Sequence, residues 1–195
     1  MTGKAILRKD PVMKQLITKH QIKEYYGGQN NHFLDLIEIV IGQQLSMKAA
    51  DSILKRFLAL FPAKPKPDDV LKVSVEKLRA VGLSNSKANY VKNIAQAIST
   101  GTLLLDQFEK LADEEIKKEL IKIKGIGPWS AEMFLIFSLK RPDVFSVGDL
   151  GLRSAIEKLY GIKRDNLKEI EKLADSWHPH RSLACRYLWA SLDNV

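Results

Sequence analysis

Apolar residues recur at every third or fourth position along almost the whole chain, and that spacing leaves few folds open. In NHFLDLIEIVIGQQ, Phe33, Leu36, Ile37, Val40 and Ile41 follow the i, i+3, i+4, i+7, i+8 rule, with Asn31 as N-cap. Ser46 opens a second run whose stripe is Ala49, Ala50, Ile53, Leu54, Phe57 and Leu58. Ser74 opens a short helix ending near Gly82, and Ser84 caps a run with Ala88, Val91, Ile94, Ala95 and Ile98 inside. Asp113 can cap a helix running into Ile123, and another runs from Pro128 to about Leu139. Asp149, then Asp165 or Asn166, mark further starts, and Pro179 suits the first turn of a last helix that ends near Asp193. Residues 62–69, PAKPKPDD, read as a loop. Nothing alternates beyond a few residues of DVFSV, so the fold class is all-α, with about ten short helices. The connections are short, which favours two helical lobes sharing one interface over independent domains.

Composition narrows the partner. Lys and Arg number 31 against 23 Asp and Glu, and the net charge of +8 favours an anionic partner, nucleic acid first and a membrane surface second. Cys185 is the one cysteine, so neither a disulfide nor a four-cysteine iron–sulfur cluster can form within the chain; it reads as a small buried hydrophobe. No apolar stretch reaches the roughly 20 residues of a spanning helix, and the first residues lack a signal peptide's apolar core. A reducing, cytoplasmic compartment is expected.

Residues 120–134, LIKIKGIGPWSAEMF, place two glycines, a proline and a tryptophan between two helical patterns. Glycine permits positive φ and close backbone approach, and Pro128 presets the first turn of the second helix. The N–H groups at that helix start, with Lys122 and Lys124 nearby, form a site for a phosphate. A glycine-terminated helix followed by a proline-started one accounts for the same residues. Downstream, Asp149 lies 20 residues after Trp129. A helix over 128–139 is about 18 Å long, and residues 140–148 can span about 30 Å, so the chain can return Asp149 to the hairpin end where it began. The same aspartate suits an N-cap, and the two roles can coexist.

Leu120, Ile123, Gly125, Ile126 and Gly127 resemble the helix-hairpin-helix signature of DNA-repair proteins. GIGPWSAEMF…RPDVFSVGDLGLRSA resembles the alkylation-repair branch of the helix-hairpin-helix DNA glycosylases, the 3-methyladenine DNA glycosylase II type. IGQQLSMKAA (41–50), GLSNSKANYVKNIA (82–95) and WHPHRSLACRYLW (177–189) match in the same order, over about residues 31–190.

The resemblance implies a two-lobed fold with the active-site cleft between lobes. Residues 31–128 would form a central lobe leading into the hairpin motif (114–139), and 1–30 with 129–195 a second lobe carrying the catalytic acid. It implies a monofunctional glycosylase excising alkylated purines from duplex DNA by base flipping and hydrolysis. Asp149 matches the carboxylate that stabilises positive charge on the sugar and orients water. Trp129 and Trp189 match pocket aromatics able to hold a cationic base, and Met133 falls where some relatives carry an aromatic. Lys124, Gly125, Ile126, Gly127 and Ser130 match the DNA-gripping hairpin, and the carbonyls of Ile121, Ile123 and Ile126 are candidates to hold Na+ or K+. Gln44 or Leu45, in the turn Gln43-Gln44-Leu45, would fill the gap left by the base; Lys48 and Lys87 are candidate phosphate contacts. Trp129 stands where lyase-active relatives carry a Schiff-base lysine, so no lyase activity is expected. The bacterial type member's N-terminal β-rich domain has no counterpart before residue 31, which implies a compact, all-helical version. No cofactor, no membrane partner and a monomer are expected, in the nucleoid or a nucleus. A non-catalytic helix-hairpin-helix DNA-binding protein is the alternative, and a helical protein-interaction module is a more distant one. His178 and His180 do not share a helix face and show no clear carboxylate partner, so they read as loop or surface, and Trp177 reads as core. Lys64, Lys66 and Lys72 read as a solvated face.

Overall fold

The computed structural model describes residues 2–22 and 31–192. Among them every regular element is helical, as the periodicity requires. They sort into two compact units, Gln29–Phe134 and the pair of segments Met1–Gly28 and Leu135–Val195.

In the first unit, α3 (His32–Gly42) starts on Asn31, whose side chain accepts the Leu34 N–H at 3.1 Å, and buries Phe33, Leu36, Ile37, Val40 and Ile41. Each such side chain contributes about 1.5–3 kcal/mol on leaving water. α4 (Met47–Leu58) starts on Ser46. Of its expected stripe only Phe57 is fully buried; Ala49, Ala50, Ile53, Leu54 and Leu58 are half-covered, because α3 is the main neighbour of α4 and a single partner covers only part of a helix face. Residues 62–69 are not all loop: α5 (Pro67–Lys72) begins inside them, with Pro67 in its first turn and the Asp69 carboxylate accepting the Lys66 N–H at 3.0 Å. α6 (Val75–Ala80) is capped by Ser74. α7 (Asn85–Ser99), capped by Ser84, packs against α3, α5 and α6. Its buried face is Ala88, Val91, Ile94, Ala95 and Ala97, while Ile98 is only half-buried. After a 3-10 turn (Leu105–Lys110) comes α8 (Asp113–Ile121), which stops two residues short of Ile123. Ala112, not Asp113, is its N-cap, and the Glu115 carboxylate accepts the Ala112 N–H at 2.9 Å. α9 (Pro128–Met133) packs on α8 and α3.

A π-helical turn (Phe134–Ser138) continues α9 in the chain. The second unit holds α1 (Gly3–Leu7), α2 (Pro11–Lys19), α10 (Leu150–Tyr160), α11 (Leu167–Asp175) and α12 (Arg181–Ala190). Leu7, Met13, Leu152, Ile156, Ile170, Trp177 and Leu188 share its core with Cys185. Asp10 organises it: one oxygen caps α2 at the Val12 and Met13 N–H groups, and the other accepts from the Tyr160 hydroxyl at 2.8 Å and the Trp177 indole at 3.0 Å. Burial, then the hydrogen bond and charge of Asp10, drive the Tyr160 hydroxyl pKa far upward. Pro179 precedes the N-cap His180 rather than entering the first turn of α12. The expected end of that helix at Asp193 lies outside the described residues, and α12 ends at Ala190. The sequence patterns passed over α1 and α2: α1 is only 5 residues long, and α2 buries only Met13, Leu16 and Ile17.

Candidate active site

The α8–α9 hairpin is built on its backbone. Gly125 has φ +111°, and a Cβ there would lie 2.2 Å from Cγ of Tyr90, so both conformation and space demand glycine. Ile123 and Ile126 are buried beneath the turn, and the Ile126 N–H donates to the Ile123 carbonyl at 3.0 Å. Asn93 of α7 donates to the Lys124 carbonyl at 3.0 Å. The Gln43 side-chain amide donates both to the Gly125 carbonyl and to Ser130 Oγ, each at 2.9 Å. The Ser130 side chain is therefore committed inward, with 2% of its surface exposed. Gly127 is the reverse of Gly125. It caps α9 with φ −99°, and a Cβ would meet nothing within 4 Å. Nothing in the fold requires glycine there, so the bare surface is available to whatever approaches. Pro128 opens α9, whose first-turn N–H groups lie beyond the reach of intrahelical acceptors. Lys124 is exposed beside them, and Lys122 pairs with Glu119 at 2.7 Å.

The cation suggested at Ile121, Ile123 and Ile126 suits the chemistry present. The last carbonyls of α8 lack helical partners, and the Ile123 oxygen, holding one hydrogen bond, keeps a second lone pair. Neutral carbonyls suit a hard monovalent ion. Among the described residues no group of three or more His, Cys, Asp or Glu could hold a metal.

Between α3 and α4, Gln44 takes φ +57° and is exposed, as is Leu45. Met47 is 73% exposed, an apolar side chain that the sequence patterns did not single out at this turn. Lys48 is exposed in the first turn of α4. Lys87 is placed otherwise than expected: its ammonium donates to the carbonyls of Ile41 at 2.8 Å and Gln43 at 2.6 Å, so it braces the turn instead of standing ready for a phosphate.

In the other unit, Asp149 is the N-cap of α10 and is 9% exposed. Its Oδ1 accepts the Leu152 N–H at 2.7 Å and the Trp189 indole N–H at 2.9 Å. Two donors on one oxygen fix the plane of the carboxylate, so the capping role orients it. The Trp189 ring lies 5.5 Å from that of Phe137, tilted by 30°. Gly151 leaves room for the contact: a Cβ there would lie 3.1 Å from Asp149 Oδ1 and 3.3 Å from the Trp189 ring. Leu150, next in sequence to Asp149, is 73% exposed. Neither Gly151 nor Phe137 carried a signal in the sequence. Trp129, half-buried, and Met133, buried, stand on α9 in the first unit.

His178 does have a carboxylate partner. Asp143 binds it at 2.6 Å and takes a forked pair of bonds from Arg181 at 2.9 and 2.8 Å. The partner was missed because 35 residues separate the two. Burial pushes the Asp143 carboxyl upward, but hydrogen bonds from the Arg181 side chain and backbone, with the charges of Arg181 and His178, outweigh it and hold the pKa below its ordinary value.

Residues 37–180 match the family described as HhH-GPD superfamily base excision DNA repair protein. The chain belongs to the HhH-GPD superfamily. It is 34% identical over 166 residues to the putative DNA-3-methyladenine glycosylase YfjP of Bacillus subtilis (strain 168), covering 81% of this chain and 58% of that protein. To DNA-3-methyladenine glycosylase 1 of Schizosaccharomyces pombe it is 36% identical over 159 residues, covering 80% and 70%. The fission-yeast 3-methyladenine DNA glycosylase Mag1, solved in complex with abasic DNA, superposes with a TM-score of 0.88 at 31% identity, covering 99% of this chain and 97% of that one. The all-α architecture is thus that of a helix-hairpin-helix glycosylase, and no described helix is long and apolar enough to cross a membrane.

Proposed function

We propose that this HhH-GPD chain is a monofunctional DNA glycosylase that removes alkylated purines of the 3-methyladenine type from duplex DNA. The observation that carries this is the Asp149 carboxylate, fixed by the Leu152 N–H and the Trp189 indole beside the Trp189–Phe137 aromatic pair. A base alkylated on a ring nitrogen is cationic and leaves readily. As the bond from C1′ to the base nitrogen breaks, its electron pair departs with the base and positive charge builds on the sugar. The oriented carboxylate stabilises that charge and takes a proton from the water that attacks C1′. The products are the free base and an abasic site.

The remaining roles follow the resemblance. The hairpin at Lys124–Gly127 grips a phosphodiester through backbone N–H groups, which suits a protein that must hold any sequence. The carbonyls of Ile121, Ile123 and Ile126 would hold Na+ or K+, which would supply positive charge to the backbone grip. Trp129, Trp189 and Met133 receive the extruded base, Gln44 and Leu45 fill the gap it leaves, and Lys48 meets a flanking phosphate. Trp129 in the place of a Schiff-base lysine supports hydrolysis without strand cleavage. The partner is double-stranded DNA bound by a monomer, in the nucleoid or a nucleus.

The test incubates methylated duplex DNA with the protein and separates released bases by chromatography. Release of 3-methyladenine is expected. Tight, salt-sensitive DNA binding with no release would instead establish a binding protein. Borohydride added during turnover should trap no covalent protein–DNA adduct; an adduct would contradict the monofunctional assignment.

A further inference from the structure

The α3–α4 turn and the hairpin are tied together more firmly than two surface connections require. The Gln43 amide reaches both the Gly125 carbonyl and Ser130 Oγ at 2.9 Å. The Gln43 carbonyl in turn receives the Lys87 ammonium at 2.6 Å, which also holds the Ile41 carbonyl at 2.8 Å. One residue is thus gripped through its side chain by the hairpin and through its backbone by α7. Burial pulls the Lys87 pKa below the ordinary lysine value, so the fold accepts a desolvated cation to place these donors at the end of α3. Just beyond the anchored residue, Gln44 sits at φ +57°, a conformation that costs about 1 kcal/mol or more for a non-glycine residue. Leu45 and Met47 follow, 40% and 73% exposed. A turn that only reversed the chain would need neither the half-buried cation nor the exposed apolar pair.

We propose that Gln43 and Lys87 are positioning residues for base extrusion: they lock the wedge turn to the hairpin, so that Gln44, Leu45 and Met47 press into the base stack against a fixed grip on the neighbouring phosphodiester. The proposal rests on the glycosylase reading for what is extruded. Unstacking a paired base costs a few kcal/mol, and a wedge on an untethered turn would recoil before delivering it. Met47 joins the wedge because it is the more exposed of the two apolar side chains at the turn.

The test places 2-aminopurine beside a lesion in duplex DNA and reads its fluorescence at saturating protein, so extrusion is measured apart from cleavage. Gln43→Glu keeps the side chain's size but sets a carboxylate against the Gly125 carbonyl, and Lys87→Met keeps length without donors. Both should reduce the fluorescence rise by at least about threefold and leave the affinity for undamaged duplex within about twofold. Lys87→Arg should restore most of the rise. With the lesion opposite an abasic gap, where the stack is already broken, the variants should match the wild type. A merely structural role would lower both substrates and the unfolding temperature together. Variants that extrude as fully as the wild type at equal occupancy, or that fail equally on both duplexes, would overturn the proposal. If Lys87→Met fails to fold, the near-isosteric Gln43→Glu still decides it. Wild-type extrusion without base release would leave the brace standing and remove the glycosylase reading; no wild-type extrusion would remove the brace.

Discussion

The hairpin and the start of α10 are both helix beginnings, yet they hold their polar groups in opposite ways. In the hairpin the acceptors offered to the rest of the protein are backbone carbonyls, those of Lys124 and Gly125, taken by Asn93 and Gln43. At α10 the acceptor is the carboxylate of Asp149, taken by the Leu152 N–H and the indole of Trp189. A surface made of backbone presents the same face whatever its side chains, which suits a grip indifferent to DNA sequence. A single carboxylate held by one indole has no such redundancy. Binding should therefore depend on glycines, and chemistry on the side chains around one acid.

Gly125→Ala should break the hairpin side hardest. The new Cβ lies 2.2 Å from Tyr90 at φ +111°, and overpacking with backbone strain should cost about 3 kcal/mol in denaturant titration. A cost below about 1 kcal/mol would mean that Tyr90 yields freely. Trp189→Phe keeps an aromatic face but removes the donor to Asp149. A hydrogen bond to a charged group contributes about 1.5–3 kcal/mol, so base release should slow by roughly 10- to 100-fold with DNA affinity nearly unchanged. An equal loss of affinity would place Trp189 in binding instead. Gly127→Ala has open space within the fold. Its unfolding temperature should hold while affinity for duplex DNA weakens by about tenfold, or 1.4 kcal/mol; unchanged affinity would separate Gly127 from the phosphate. Gly151→Ala presses on Asp149 and Trp189 from 3.1 and 3.3 Å, so release should slow a few-fold. Stability should be unchanged or higher by about 0.5–1 kcal/mol, because alanine suits a helix better.

The smallest effect concerns Asp143, a control outside both regions. Its folded pKa is held below the ordinary value, so its pairing with Arg181 stabilises the fold above about pH 4 and is lost as the pH falls further. The stability difference between wild type and Arg181→Met should shrink on acidification through that range. A difference independent of pH would assign Arg181 a packing role only.

The same contrast decides what could be seen in the residues beforehand. Caps and stripes act over three or four positions, so Asn31, Ser46, Ser74, Ser84 and Asp149 declare their helices directly, and the face of α3 is legible residue by residue. Gly125 and Gly127 were legible as a pair but not as opposites, because the difference lies in Tyr90, 35 positions away. Lys87 looked like a phosphate ligand because its neighbours along the helix do not reveal that the carbonyls of Ile41 and Gln43 lie within reach. Phe137 and Gly151 were silent because each meets Trp189, which only the tertiary fold brings near; Asp10 caps α2 locally, but its bonds to Tyr160 and Trp177 reach across the fold.

The most direct measurement is single-turnover release of 3-methyladenine from methylated duplex DNA at saturating protein, comparing wild type with Asp149→Asn. Asparagine caps helices about as well as aspartate, so the variant should fold and bind DNA within about twofold of wild type while release falls by at least about a hundredfold. Undiminished release by a folded, DNA-saturated Asp149→Asn protein would contradict the central claim that this carboxylate drives cleavage of the glycosidic bond.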